Sequence, residues 1–170
     1  SFTAAYDTSY RLTGLRDTIG STDLRNLTHG YTLRDNLASI TDVLDPTGDE
    51  SFTYSSREFL ASADGPYSPI GYNYDSVGNR LTKTVGSTTD TYSYGTNDNH
   101  LMSIAGGTTR SLTYDAAGNV TYDNRAGQGY GYSYNAAGRM ESFSIDGVVQ
   151  AEYVYNADGQ QVIRRLTQTG

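Results

Sequence analysis

The sequence predicts an all-β chain of tandem β-hairpins. Three observations carry this: a tyrosine-headed segment recurring about every twenty residues, period-two alternation on either side of it, and an abundance of turn-forming residues. Five segments align: Tyr74-Asp75-Ser76-Val77-Gly78-Asn79, Tyr94-Gly95-Thr96-Asn97-Asp98-Asn99, Tyr114-Asp115-Ala116-Ala117-Gly118-Asn119, Tyr134-Asn135-Ala136-Ala137-Gly138-Arg139 and Tyr155-Asn156-Ala157-Asp158-Gly159-Gln160. Their tyrosines are separated by 20, 20, 20 and 21 residues, and Tyr54 extends the phase back by another 20.

Each unit reads as strand, turn, strand, loop. Met140 to Ile145 alternates, Asp146-Gly147 supplies the positive φ angles of a two-residue hairpin, and Val148 to Tyr155 returns. Leu81 to Val85, Gly86-Ser87 and Thr88 to Tyr94 repeat the plan, as do Leu101 to Ile104, Gly106-Gly107 and Thr108 to Tyr114. In the returning strands Tyr72 and Tyr74, Tyr92 and Tyr94, Leu112 and Tyr114, Tyr132 and Tyr134, and Tyr153 and Tyr155 stand two apart, which places each pair on one sheet face and predicts an aromatic ladder between units. In the segment that follows, Asp75 or Asp115 is placed to cap backbone donors, and Gly78, Gly118, Gly138 and Gly159 to take a left-handed conformation. Upstream the pattern is degenerate over residues 1–51, legible in Tyr6-Asp7 and in Tyr31-Thr32-Leu33-Arg34, and regular over 52–170. The expectation is one array of about seven repeats across residues 1–170.

Composition agrees. Tyrosine dominates the aromatics, with 16 Tyr against 4 Phe and no Trp, and suits half-wet sheet surfaces better than a dry core. A net charge of −7 with arginines scattered and Lys83 the sole lysine argues against a nucleic-acid partner and against polybasic membrane attachment. There is no cysteine, which excludes disulfides and thiolate metal sites, and no apolar run long enough to span a membrane. The start, Ser-Phe-Thr-Ala-Ala, has neither signal-peptide character nor an initiator Met, which points to processing or to excision from a longer chain.

These segments resemble the tyrosine-aspartate (YD) repeats of the Rhs family, whose pattern is roughly Tyr-Asp-x-x-Gly-Asn/Arg-Leu-Thr. Tyr74 to Thr82 matches with Arg80 inserted before Leu81-Thr82, and Tyr114 to Thr121 has Val120 in place of Leu. The family includes bacterial Rhs proteins, insecticidal toxin-complex subunits and animal teneurins. The resemblance implies an extended antiparallel ribbon that curls or spirals into part of a hollow shell, and hence a secreted or cell-surface bacterial protein that encloses or delivers a polypeptide toxin. Two alternatives stand beside it. One is a self-assembling fibre or tube subunit, suggested by Gln161 to Thr167, which reads as a strand with an open edge. The other is a glycan-binding adhesin using Tyr122, Tyr130 and Tyr132, which depart from the ladder phase or double it.

No enzyme is expected, since no serine lies in a Gly-x-Ser-x-Gly elbow and no acid–base pair is evident. Asp45-Pro46-Thr47-Gly48 resembles half of a family self-cleavage pattern but reads as an ordinary turn. His29 and His100 lack partners at metal-ligand spacing, and Asp75, Asp115, Asp123, Asp146 and Asp158 read as turn caps rather than calcium ligands. No metal or cofactor is called for. The expected partners are a polypeptide cargo or adjacent repeats, with self-association or a glycan as the alternatives.

Overall fold

A computed structural model describes residues 1–167; Gln168 and the two residues after it lie outside the described range. The strands are β1 (Phe2–Tyr6), β2 (Leu12–Ile19), β3 (Thr22–Tyr31), β4 (Leu37–Asp42), β5 (Glu50–Tyr54), β6 (Leu60–Asp64), β7 (Ile70–Tyr74), β8 (Arg80–Val85), β9 (Thr88–Tyr94), β10 (Leu101–Ala105), β11 (Arg110–Tyr114), β12 (Val120–Arg125), β13 (Gln128–Tyr134), β14 (Met140–Ile145), β15 (Val148–Tyr155) and β16 (Gln161–Leu166). They form one antiparallel sheet whose spatial order is their chain order, as sequential hairpins dictate. The chain divides into two compact units, Ser1–Thr89 and Asp90–Gly170.

In both units a β-bulge falls at the tyrosine that ends a strand. The register shifts between Ala5 and Tyr6, Gly30 and Tyr31, Thr53 and Tyr54, Asn73 and Tyr74, Thr113 and Tyr114, Ser133 and Tyr134, and Val154 and Tyr155. Such a bulge interrupts the ladder and re-aims the neighbouring side chain. It also sorts the residues. The tyrosine face carries the buried Ala63 of the first unit and Tyr92, Ile104, Leu112 and Ala151 of the second. The opposite face is lined by hydroxyls that bond in cross-strand pairs, such as Thr53 with Ser62 at 2.6 Å, Thr113 with Thr121 at 2.9 Å and Ser133 with Ser142 at 2.7 Å.

Two connections are fixed by carboxylate caps, the first of them shifting a strand boundary. Strand β11 begins at Arg110 rather than Thr108, because the Asp90 carboxylate accepts from the Thr108 backbone N–H at 2.6 Å and from its hydroxyl at 3.1 Å, which holds Thr108 in the loop. Asp45 to Gly48 winds into a one-turn 3-10 helix, Pro46–Gly48, capped by Asp45. The Asp45 carboxylate accepts from the Thr47 N–H at 3.0 Å and its hydroxyl at 2.7 Å, which gives this segment a turn-capping role.

Candidate functional site

The turn after each bulge has one geometry. The N–H of the residue after tyrosine bonds the carbonyl four residues on: Asp7 to Arg11, Thr32 to Asn36, Ser55 to Phe59, Asp75 to Asn79, Asp115 to Asn119, Asn135 to Arg139 and Asn156 to Gln160. Its side chain bends inward to accept backbone N–H groups. The Asp75 Oδ1 atom takes those of Val77, Gly78 and Asn79, each at 2.9 Å, and Asp115 those of Ala117 and Asn119. Asn119 then donates to the second Asp115 oxygen at 2.9 Å and is the main cause holding that carboxyl below the usual range. The loop from Gly95 to His100 is one residue longer, with Asp98 accepting from the His100 N–H.

In these seven turns the fourth residue after tyrosine is left-handed. It is glycine at Gly78, Gly118, Gly138 and Gly159, with φ of 102, 87, 72 and 82°. In the degenerate half the same place is held by Tyr10, Asp35 and Glu58, at 61, 68 and 65°. The turn therefore persists where its sequence signature fades. Tyr10 is 89% exposed, so its strain has little compensation. Tyr10→Gly is expected to stabilise the chain by about 0.5–1 kcal/mol, and Gly78→Ala to destabilise it by about 1–2 kcal/mol, both read from urea unfolding midpoints. At Gly78 an added Cβ would also meet the Phe59 ring at 3.0 Å.

Four hairpins are tied to the one before through the tyrosine hydroxyl. Tyr31 donates to the Leu12 carbonyl at 2.8 Å, Tyr54 to Leu37 at 2.8 Å, Tyr74 to Leu60 at 3.0 Å and Tyr114 to Leu101 at 2.8 Å. Every acceptor is the first residue of a strand leaving the preceding turn, beside the bulge that interrupts the ladder. Burial raises the pKa of Tyr74, Tyr114 and Tyr134, so these hydroxyls stay neutral. The ladder is thus bonded side chain to main chain, and ring contacts such as Tyr72–Tyr74, 6.4 Å between centroids, add to it. Tyr94 and Tyr155 end β9 and β15 in the equivalent position.

A second component was hidden from sequence reasoning. Alternate turns end in a flat side chain that covers the next tyrosine: Arg11 over Tyr31 at 4.7 Å, Phe59 against Tyr74 at 5.1 Å, His100 stacked on Tyr114 at 4.4 Å and Arg139 over Tyr155 at 5.9 Å. The intervening turns end in Asn36, Asn79, Asn119 and Gln160. The covering group also fills the space above the next turn's fourth residue. A Cβ at Gly118 would meet His100 at 3.2 Å, and one at Gly159 would meet Arg139 at 2.0 Å. The alternation is present in the sequence, but the extra residue before His100 shifts it out of register.

Asp123 is not a turn residue, contrary to expectation. It lies within β12, 1% exposed, where both oxygens receive Arg110 at 2.7 Å and Arg125 adds a bond at 2.8 Å. Arg125 in turn lies 4.7 Å over the Tyr130 ring. The other carboxylates considered for calcium are dispersed: Asp75 and Asp115 cap turns, Asp146 accepts from the Gly129 N–H across a hairpin at 2.7 Å, and Asp158 sits in the turn before β16. Among the described residues no three His, Asp or Glu side chains converge as a cation site requires. His29 lies opposite Ile40 on β3, its Nδ1 buried without a hydrogen-bond partner among the described residues.

The three tyrosines considered for a sugar are not brought together. Tyr130 and Tyr132 flank Phe143 on the tyrosine face, at 6.3 and 5.6 Å between centroids. Tyr122 points the other way, opposite Gly131, with its ring lying across Gly129 so closely that a Cβ there would meet its hydroxyl at 2.1 Å. Among the described residues no helix is long and apolar enough to cross a membrane.

A family model described as the teneurin YD-shell matches residues 1–170. No curated protein sequence matches the chain. Crystal structures of TcdB2-TccC3-Cdc42 and TcdB2-TccC3-TEV share the fold, with TM-scores of 0.52 and 0.53 over 97% and 93% of this chain at 13% and 16% identity. The chain spans only 13% and 11% of the length of those two chains.

Proposed function

We propose that this chain, which belongs to the teneurin YD-shell family over its whole length, is a wall segment of a β-shell that holds a polypeptide cargo without catalysing a reaction on it. The observation that carries this reading is the tyrosine clamp. The conspicuous polar groups of the repeat, the tyrosine hydroxyl and the Asp or Asn of the turn, are engaged in joining hairpin to hairpin, as wall-building groups must be. The sheet face on which those tyrosines lie combines rings and hydrogen-bonding groups, a surface suited to many weak contacts with an unfolded chain. An extracellular or cell-surface setting accords with the family.

The test is binding of the purified chain to a permanently unfolded protein, reduced and carboxymethylated α-lactalbumin, followed by fluorescence anisotropy. Saturable binding, with slower proteolysis of the bound polypeptide, is the expected result. Absence of both binding and protection would overturn the cargo-holding reading.

A further inference from the structure

The arginines of β11 to β16 are unequally divided between the two sheet faces. Arg110 and Arg125 lie opposite each other on the tyrosine face and share the single carboxylate of Asp123, which leaves one positive charge in surplus. Arg139 covers the Tyr155 ring, and Arg164 lies directly opposite Tyr153. Neither Arg139 nor Arg164 forms an ion pair among the described residues. The acids of this segment are mostly elsewhere. Asp115, Asp146 and Asp158 are in turns, Glu141 is the exposed extra residue of a bulge, and Glu152 is on the hydroxyl face within 4.0 Å of Arg165.

The tyrosine face of β11–β16 is therefore cationic in a chain whose net charge is −7. Its cations surround a group of half-buried rings, Tyr130, Tyr132, Phe143 and Tyr153. From Arg125 on β12 to Arg164 on β16 is four strand spacings, or about 19 Å, a span that a short extended peptide crosses. We propose that this face binds an extended acidic polypeptide segment. Its carboxylates meet Arg125, Arg139 and Arg164, and its apolar side chains lie on the rings between them. The inference rests on the shell reading and specifies the chemistry of the polypeptide held. A nucleic acid is disfavoured, because a few separated cations neutralise few phosphates while the rest of the chain repels them.

Arg164 and Arg165 offer an internal control, since adjacent residues of β16 project to opposite faces. Fluorescein-labelled peptides of five Glu-Gly-Tyr-Ser repeats, and the same peptides with Ser or Lys in place of Glu, are titrated with the full chain. The Glu peptide is expected to bind about tenfold more tightly than the Lys peptide, with affinity falling as salt rises. Arg164→Glu is expected to weaken Glu-peptide binding about fivefold and Arg164→Gln by less, whereas Arg165→Glu changes it less than about twofold. Thermal unfolding of each variant reports that the fold is kept. Equal effects of Arg164→Glu and Arg165→Glu, or tighter binding of a single-stranded oligodeoxynucleotide, would overturn the proposal. If all three peptides bind alike, the cargo-holding reading stands and this inference fails. If none binds, both fail.

Discussion

Asp123→Ala is expected to lower the unfolding free energy by about 2–3 kcal/mol, because it removes a buried carboxylate and its charge-assisted hydrogen bonds and leaves Arg110 and Arg125, part-exposed, without their shared partner. The carboxylate is 1% exposed and receives three charge-assisted hydrogen bonds. Without it Arg110 and Arg125 face each other across the β11–β12 pair as like charges, and the pocket between Leu112 and Tyr130 loses its polar filling. Urea unfolding followed by circular dichroism gives the value. Asp123→Asn keeps the shape but not the charge, so a similar loss in both variants identifies the charge as the cause, whereas a near-wild-type Asn variant would assign the site to packing.

The same cluster predicts a pH dependence. The Arg110 guanidinium, and after it Arg125, hold the Asp123 carboxyl below the usual carboxylate range in spite of burial. A depressed folded pKa means stability that is fully present above the unfolded value, about 4, and is lost as pH falls through the folded one. Wild-type stability should therefore decline below about pH 4, and Asp123→Asn should lack this component of the decline.

Tyr114 is expected to give the second large effect. Its ring is stacked on His100 with planes 13° apart, and its hydroxyl donates to the Leu101 carbonyl at 2.8 Å. Tyr114→Ala removes ring and clamp together and is expected to cost about 3 kcal/mol, the low end for a large aromatic because the ring is half-buried. Tyr114→Phe keeps the ring but leaves the carbonyl without its donor, for an expected loss of about 1–1.5 kcal/mol. Equality of Phe with wild type in chemical denaturation would show that the hydroxyl contributes nothing and that the ladder is held by ring contacts alone.

Much of this architecture is legible in the residues themselves, because it is local. Tyr-Asp-x-x-Gly specifies a turn by its own side-chain bonds and its own glycine, so Tyr74 to Asn79 and Tyr114 to Asn119 can be placed without knowing what surrounds them. Period-two alternation then assigns Tyr72 and Tyr74 to one face. The degenerate turns mark where local reasoning weakens. Nothing about Tyr10 or Glu58 announces a left-handed residue, and each is held there by the ladder on either side of it.

What the sequence determined by itself is the repeat, its turn chemistry and its hairpin order, since each depends on interactions within a few residues. The tertiary structure alone decided the partners that lie one hairpin away. The bulge before each tyrosine directs that side chain toward an interrupted backbone ladder, which pairs Tyr114 with Leu101 rather than with another tyrosine. Register across the β11–β12 hairpin, thirteen residues apart in the chain, takes Asp123 out of the set of turn caps and buries it between two arginines. A one-residue change of register would turn both groups to the opposite face, so their roles follow from strand pairing and not from their neighbours in sequence.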